Sequence, residues 1–461
     1  MTEGKKKRGF KVPHGYVVVF IILIFVSILT YLIPAGEYLR EVNEAGQEVV
    51  VPGSFHYIES SPVPFWLIPN YIMESLSDQA AIIFGIIVVG GSMEVTLSTG
   101  MFHAFCNKVS RACSGKEKWF IPLFLGIFAC IGITQATNKF ISFTPLGVML
   151  AATLGYDAIV GVSIVMLGIG IGFTSGIFAG VTAVAQSLVG LPAYSGLSMR
   201  VLAFAVLYII TAIYLVRYGE RCKKQPSYSA VYGCKEVQSF DLSEITVEVK
   251  KRHYLVLFVF LACLAVMIYG CIRFGWSLTE NAIVFMWMGI LSGFAYGYRP
   301  SEIATHFVKG AKGMTSAALI VGLGAACTLI MDEANILDTV VMAMAASMDY
   351  LPTLLKGPAL MIINMIASIF VTSGTGQASV VMPILAPVAD LSGVTRQTLV
   401  LAYRLGDGIC GYVQPHGSLM PFIAVAAIPY ERWMKFFGKL WAGWIVSGCL
   451  IMVLAQVINY Q

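Results

Sequence analysis

Nine runs of roughly twenty apolar residues recur along this chain, at 16–34, 79–99, 158–188, 199–217, 253–272, 281–297, 314–331, 397–425 and 437–458. A helix crossing a hydrocarbon layer about 30 Å thick needs about that many residues. Lipid offers no partner to a peptide group, so the spans satisfy their backbones within helices. The expected fold is therefore an all-α polytopic membrane protein. Composition agrees, since 57% of the 461 residues are hydrophobic and only 12% charged, about half the charged share of a soluble domain. A net charge of +5 does not point to nucleic acid here, because the bases lie in loops between the apolar runs. The opening "MTEGKKKRGFK" has the basic flank of a signal peptide, yet the following run is longer than an ordinary signal core. "IPAGEY" offers no convincing cleavage site, so an uncleaved first span is expected. The ten cysteines fall mostly within spans, and neither Cys106 with Cys113 nor Cys222 with Cys234 has metal-ligand spacing. They read as small buried hydrophobes.

Two further apolar regions, 119–153 and 357–391, are broken at their centres by "TQATNK" and "TSGTGQ". Each arm is then about 15 residues, or ~22 Å at helical rise, too short to cross comfortably. Both are expected to be re-entrant hairpins. Threading the chain on that basis, with the N-terminus inside, collects 23 of the 30 lysines and arginines in cytoplasmic segments. Five remain outside (Arg40, Arg200, Arg273, Lys356 and Arg396), and Lys139 and Arg404 lie at membrane depth. The polar stretch 218–252 becomes a cytoplasmic linker between a first repeat, 1–217, and a second, 253–461. An Asn-Glu-Ala-Gly turn between short alternating runs near 40–59 predicts a small exposed β-hairpin.

Displacing the sequence on itself by 238 positions sets Pro145 on Pro383 without gaps through the hairpin and the span after it. Thr134 then meets Thr372, Thr137 meets Thr375, Gly155 meets Gly393, Gly168 meets Gly406 and Gly170 meets Gly408. In the threaded topology the two hairpins enter from opposite faces, so the repeats are inverted. Inverted repeats with interrupted helices at corresponding positions point to a secondary transporter with its site near the bilayer midplane. The spans that follow the hairpins are themselves interrupted, at "GIGIGFTSGIFAG" (168–180) and "GDGICGYVQPHGSLMP" (406–421). Glycine in close helix packing is the competing explanation for these stretches.

The expected solute-binding groups are accordingly Thr134, Thr137, Asn138 and Lys139 at the first tip and Thr372, Ser373, Gly374, Thr375, Gly376 and Gln377 at the second. Thr174 and Ser175 belong to the first break, and Gln414, Pro415 and His416 to the second. The second arm of each hairpin starts a helix whose free amides and positive dipole end suit an anion. The carbonyl ends of the first arms suit Na⁺, and His416 suits H⁺ as an alternative coupling ion or a buried hydrogen-bonded role. No other cofactor is expected. Lys139 has no acid near it in sequence, so a solute carboxylate is expected to neutralise it, or its long stem to carry the charge to the surface. Arg404 and Asp407, three apart on one helical face, are expected either to pair or to serve the site.

"SGTGQASVVMPILAPVADLSGVTRQTLVLAYRLGDG", with "LGYDAIVGVSIV", "GLPAYSG", "IPAGEY" and "IPYERWMKF", resembles the YfcC-like branch of the C4-dicarboxylate anaerobic carrier family, within the ion transporter superfamily. The resemblance spans nearly the whole chain. It implies an elevator-type fold of two inverted repeats, with a dimeric scaffold and a moving domain that carries both hairpins and both broken helices. It also implies residence in the cell's inner membrane as a homodimer. Relatives commonly have acids in the first hairpin where this chain has "TQATNKF", an Asn-Pro pair where it has Phe178-Ala179-Gly180, and a glutamine where it has Arg404. The change runs from negative toward positive. The expected function is symport or exchange of a small carboxylate-bearing solute, such as a C4-dicarboxylate, with a basic amino acid as the alternative cargo. A channel could use the same polar segments. An intramembrane protease is suggested by "LGDG" but lacks a second mid-span aspartate, and no phosphate-binding Gly-x-x-x-x-Gly-Lys loop supports a nucleotide-driven pump. The expected protein is not an enzyme.

Overall fold

The computed structural model describes residues 15–42, 48–51, 53–101, 117–234, 237, 250–274, 276, 278–371, 373–415 and 418–461. The chain starts with α1 (Gly15–Leu32) and then a small β segment outside the helices. β2 (Arg40–Val42) pairs antiparallel with β3 (Glu48–Val50) inside an outer pair of β1 (Gly36–Glu37) and β4 (His56–Tyr57). This is the anticipated hairpin, one strand pair wider than the sequence suggested; its turn, 43–47, lies outside the described residues. α2 (Ile68–Asp78) and α3 (Ala80–Ser98) follow.

The first interrupted region is α4 (Glu117–Gly132), a 3-10 turn (Thr137–Phe143) and α5 (Thr144–Thr153). The first broken span is α6 (Ala158–Ser175) and α7 (Gly180–Leu188), followed by α8 (Leu197–Lys224). Beyond the linker come α9 (Lys251–Arg273), α10 (Leu278–Tyr296), α11 (Pro300–Glu333) and α12 (Leu337–Ala346). The second interrupted region is α13 (Thr353–Phe370) and α14 (Gly374–Leu391). The second broken span is α15 (Arg396–Cys410) and α16 (Leu419–Val425), and α17 (Tyr430–Val457) ends the helical order.

Among the described residues, four helical stretches are long and apolar enough to cross a membrane by length and composition: α3, the run through α6 and α7, α8 and α17. The other anticipated spans are present as helices. α2 and α12 were not anticipated, being too short to show as spans. α11 starts at Pro300, well before the expected 314, because Pro at its first position and the Glu302 carboxylate accepting from Arg299 N open a polar turn that hydropathy does not register. The arms of the second hairpin are also longer than expected. Each has 18 residues, about 27 Å at helical rise.

The 238-residue displacement recurs in the element boundaries. α4 and α13 end at Gly132 and Phe370, α5 and α14 at Thr153 and Leu391, and α6 and α15 begin at Ala158 and Arg396. The turns before the broken spans are built alike. Gly155 and Gly393 have φ of 76° and 72°, the left-handed conformation that glycine adopts without a Cβ penalty after a helix. Tyr156 N donates to Ala151 O, and Val394 N to Ala389 O, both at 2.9 Å. Asp157 then caps α6 by accepting from Val160 N, and Thr395 caps α15 by accepting from Thr398 N.

α6 and α15 form the centre, buried along nearly their whole lengths. α4 and α5 pack on α6, and α13 and α14 on α15. Glycine makes these approaches close. A Cβ at Gly132 would collide with Ile169 O, one at Gly172 with Ala129 O, and one at Gly406 would stand 2.6 Å from Met361 O. A second group, α1, α2, α3, α10 and α11, packs beside this one, with α9 against α10. Tyr254, Leu255, Phe258 and Leu261 on α9 and Trp287, Leu291 and Phe294 on α10 are exposed. Such an apolar outer surface suits lipid rather than water. Among the described cysteines, Cys222, Cys263, Cys327 and Cys410 are buried as expected, whereas Cys130 is exposed.

Candidate functional site

The gaps between paired helices converge on one another. α4 stops at Gly132, and the chain crosses to Ala136 before winding again as the 3-10 turn. α6 stops at Gly176, whose φ of 68° turns the chain out of the helix. Phe178 N then donates to Ile133 O at 3.2 Å, so the first tip and the first break hold each other. In the second half, α13 gives way at Val371 and α14 restarts at Gly374 with Ser373 Oγ accepting from Gly376 N. α15 loosens at Gly411, and Leu419 restarts the helix.

Between these ends lies a cavity of about 380 Å³. Ala136, Thr137 and Asn138 line it from the first tip, and Ser373, Gly374 and Thr375 from the second. Asp407, Gly408, Gly411, Tyr412, Gln414 and Ser418 come from the second break, with Phe173 and Val181 from the first and Ser368 from α13. Several linings are cross-braced. Thr137 Oγ1 lies 3.2 Å from Tyr412 OH, Gln414 Nε2 donates to Ser368 Oγ at 3.3 Å, and Tyr403 OH donates to Gly374 O, pinning the second tip to α15. Tyr430 OH and Trp433 Nε1 donate to Val413 O and Tyr412 O, taking up carbonyls that the loosened helix leaves free.

The contact between the two central helices is reciprocal. A Cβ on Gly170 would collide with Tyr412 OH, and a Cβ on Gly408 with Thr174 Oγ1. Gly408 is Gly170 displaced by 238, and Tyr412 is Thr174 displaced by 238. Residue pairs that exchange partners in this way are the mark of a two-fold contact.

Among the described residues, one charged residue lies on the cavity wall, Asp407. Arg404 stands behind it with no exposed surface and donates from Nη1 to Asp407 Oδ2 at 2.8 Å. Its Nη2 donates to Phe173 O at 2.5 Å, and its guanidinium carbon lies 4.4 Å from the Phe173 ring centre. The cation therefore neutralises both a carboxylate and the negative end of α6.

Of the expected site residues, Thr137, Asn138, Ser373, Gly374, Thr375 and Gln414 face the cavity. Thr134 is exposed beside it and turns its hydroxyl back to Ile131 O at 3.4 Å. Gly376 is spent on capping, and Pro415 is a half-buried bend. Gln377 is buried and donates to Asn364 O at 2.9 Å, which staples the two arms together instead of facing solute. Thr174 and Ser175 are buried in the helix packing, Ser175 Oγ returning to Gly172 O at 2.7 Å. Thr372 and His416 lie outside the described residues.

Lys139 is placed differently from its neighbours at the tip. It does not line the cavity, and its Nζ donates to Gln135 Oε1 at 3.3 Å. The tip winds as a 3-10 turn, in which neighbours stand about 120° apart, so Asn138 faces inward and Lys139 turns away. Arg200, counted from the sequence among the bases on the outer side, is wholly buried within the protein. Sequence reasoning also passed over Tyr412, Tyr403 and Ser368. Tyr412 at least carried a signal, as an aromatic with a polar tip inside a glycine-rich break.

Comparison with known proteins follows the same line. The family model described as C4-dicarboxylate anaerobic carrier, DcuC, matches residues 12–457. The chain is 27% identical over 507 residues to the Escherichia coli K12 protein named "Putative basic amino acid antiporter YfcC", covering 100% of this chain and 99% of that protein. It is 25% identical over 511 residues to an uncharacterised protein of Haemophilus influenzae, covering 100% of both. Among solved structures it is similar to the Alcanivorax borkumensis YdaH transporter, with 11% identity, TM-score 0.42 and coverage of 97% of this chain and 99% of that one. For Neisseria gonorrhoeae MtrF the identity is 15%, the TM-score 0.40 and the coverage 97% and 96%.

Proposed function

Since the chain belongs to the C4-dicarboxylate anaerobic carrier family, we propose that it is a secondary active transporter whose cargo, a small carboxylate-bearing solute such as a C4-dicarboxylate, binds between the two hairpin tips. The observation that carries this reading is the 380 Å³ cavity, lined by interrupted helix ends from both halves of the chain. That volume suits a small molecule. The tip turn after Ala136 and α14 after Ser373 present amide ends to it, and Thr137, Asn138, Ser373 and Thr375 add neutral donors. The one wall carboxylate is already neutralised by Arg404. The electrostatic balance thus favours an anion.

The reciprocal Gly170/Tyr412 and Gly408/Thr174 contacts support an inverted-repeat design, in which the two hairpins act as gates on opposite faces. Movement of the hairpins and broken helices past the group around α3, α10 and α11 is the elevator step we propose, with the protein working as a homodimer. Na⁺ at the carbonyl ends near the tips, or H⁺, would couple it.

A second reading rests on Asp407. A carboxylate on the wall suits an ammonium group, and a basic amino acid would present both signs. Thermal stability of purified protein, titrated with C4-dicarboxylates, arginine, ornithine and Na⁺, separates the two. A dicarboxylate-dependent rise in Tm is expected. Stabilisation by arginine or ornithine with none by dicarboxylates would replace the first reading with the second.

A further inference from the structure

Arg200, in the first turn of α8, has no exposed surface. Its Nη2 donates to Gln397 Oε1 at 3.1 Å, but Nε and Nη1 meet no acceptor among the described residues. The neutral groups around it are already engaged. Gln397 Oε1 also receives Gln186 Nε2 at 3.4 Å, Gln397 Nε2 donates to Ser195 Oγ, and Gln186 Oε1 accepts from Tyr194 N at 2.6 Å. Ser195 Oγ in turn donates to Pro192 O at 2.7 Å. Tyr460 closes the cluster by donating to Gly196 O, while its own carbonyl receives Thr395 Oγ1.

Arg404 shows what this chain does with a buried guanidinium elsewhere: it supplies an acid and a carbonyl. Among the described residues no ion pair is made by Arg200; the titratable groups that act on it are the Tyr460 phenol, which is uncharged at ordinary pH, and Arg404, which has the same sign. A guanidinium does not shed its proton at ordinary pH. A buried charge without a counter-charge costs several kcal/mol, far more than one hydrogen bond to a glutamine returns. A single buried positive charge is matched by a single negative one.

We propose that Arg200, together with the amide of Gln397, forms a binding site for a small monovalent anion, either a halide or one carboxylate group. Neither residue lines the solute cavity, so the site does not depend on the identity of the cargo. It ties the loop after α7 to the start of α15 and to Tyr460, and the anion stabilises that junction.

The test uses purified full-length protein at constant ionic strength, with sodium isethionate replaced stepwise by chloride, bromide or acetate. A saturable Tm rise of about 2 °C or more is expected in the wild type, and no rise in Arg200→Gln. Saturation by halide at lower concentration than by acetate identifies the halide as occupant, and the reverse order identifies the carboxylate. A wild-type Tm indifferent to all three anions, or the same shift in Arg200→Gln, would overturn the proposal. Should Arg200→Gln fail to fold, anomalous diffraction from wild-type crystals grown in bromide, and difference density from crystals grown in acetate for the carboxylate arm, decide. A peak against the guanidinium supports the site, and its absence from both overturns it.

Discussion

Arg404 and Asp407 carry opposite charges at membrane depth, and neither can be judged alone. Removing the cation leaves Asp407 facing the cavity without its counter-charge and uncovers the end of α6 at Phe173. Loss of one member of a buried pair costs about 3–5 kcal/mol, whereas replacing both by neutral groups is often tolerated. Arg404→Gln is therefore expected to lower Tm sharply, and Arg404→Gln with Asp407→Asn to recover much of the loss. Thermal denaturation of the three proteins checks this, and a double variant no better than the single would show that the pair is not the source. Lys139 is expected to behave differently, because its partner is Gln135 and it does not line the cavity. Lys139→Gln should leave solute affinity within about twofold, under ~0.5 kcal/mol. Thr137→Ala and Thr375→Ala, which remove hydroxyls at the two tips worth ~1 kcal/mol each to a bound partner, should weaken binding about fivefold apiece. Binding titrations on well-folded variants measure all three, and undiminished affinity in both threonine variants would remove the tips from the solute site.

Helices and their breaks were the most legible level of the sequence. The polar interruptions at "TQATNK" and "TSGTGQ" mark real gaps, and the glycine-rich runs mark real breaks, because nothing else reconciles such residues with apolar surroundings. What could not be read was the direction of individual side chains around those gaps. Lys139 turns from the cavity because the tip is a 3-10 turn, and the Gln377 amide reaches across to Asn364 instead of into the cavity. The burial of Arg200 was not legible because it depends on the loop 189–196 and on Tyr460, far apart in sequence. The glycines serve both readings that the sequence allowed. Gly172 brings α6 onto the backbone of Ala129 and Gly132, so it is a packing glycine within a functional break. A methyl there has only backbone to push against, and Gly172→Ala should cost about 1–3 kcal/mol. Gly438, within α17, meets nothing within 4 Å and should be tolerant. Gly438→Ala is expected to be neutral or to stabilise by about 0.5–1 kcal/mol. Comparison of the two Tm values tests whether close helix approach, and not glycine content as such, is what these stretches require.

At the scale of the whole molecule, the orientation of the chain follows from two long helices that run side by side in opposite senses. Arg432, near the start of α17, donates to Ala230 O just beyond the end of α8 at 3.1 Å. Tyr460, just beyond the end of α17, donates to Gly196 O at the start of α8. Each helix has 28 residues, about 42 Å at helical rise, and both are apolar enough to cross a bilayer. If both cross, Ala230 and Tyr460 lie on opposite faces. The Ala230 end carries Arg221, Lys223, Lys224, Arg432 and Lys435, and the basic face of a membrane protein is the cytoplasmic one. The linker should then lie inside and residue 461 outside, as the count of bases over the nine expected spans also requires. Tyr232 and Gln461 are both exposed, so each can be replaced by cysteine in turn and labelled with an impermeant maleimide in intact cells and in inverted vesicles. Labelling of Gln461→Cys in cells and of Tyr232→Cys only in inverted vesicles is expected. If both react from the same side, either α8 or α17 fails to cross, and the pairing of the two hairpins as gates on opposite faces falls with it.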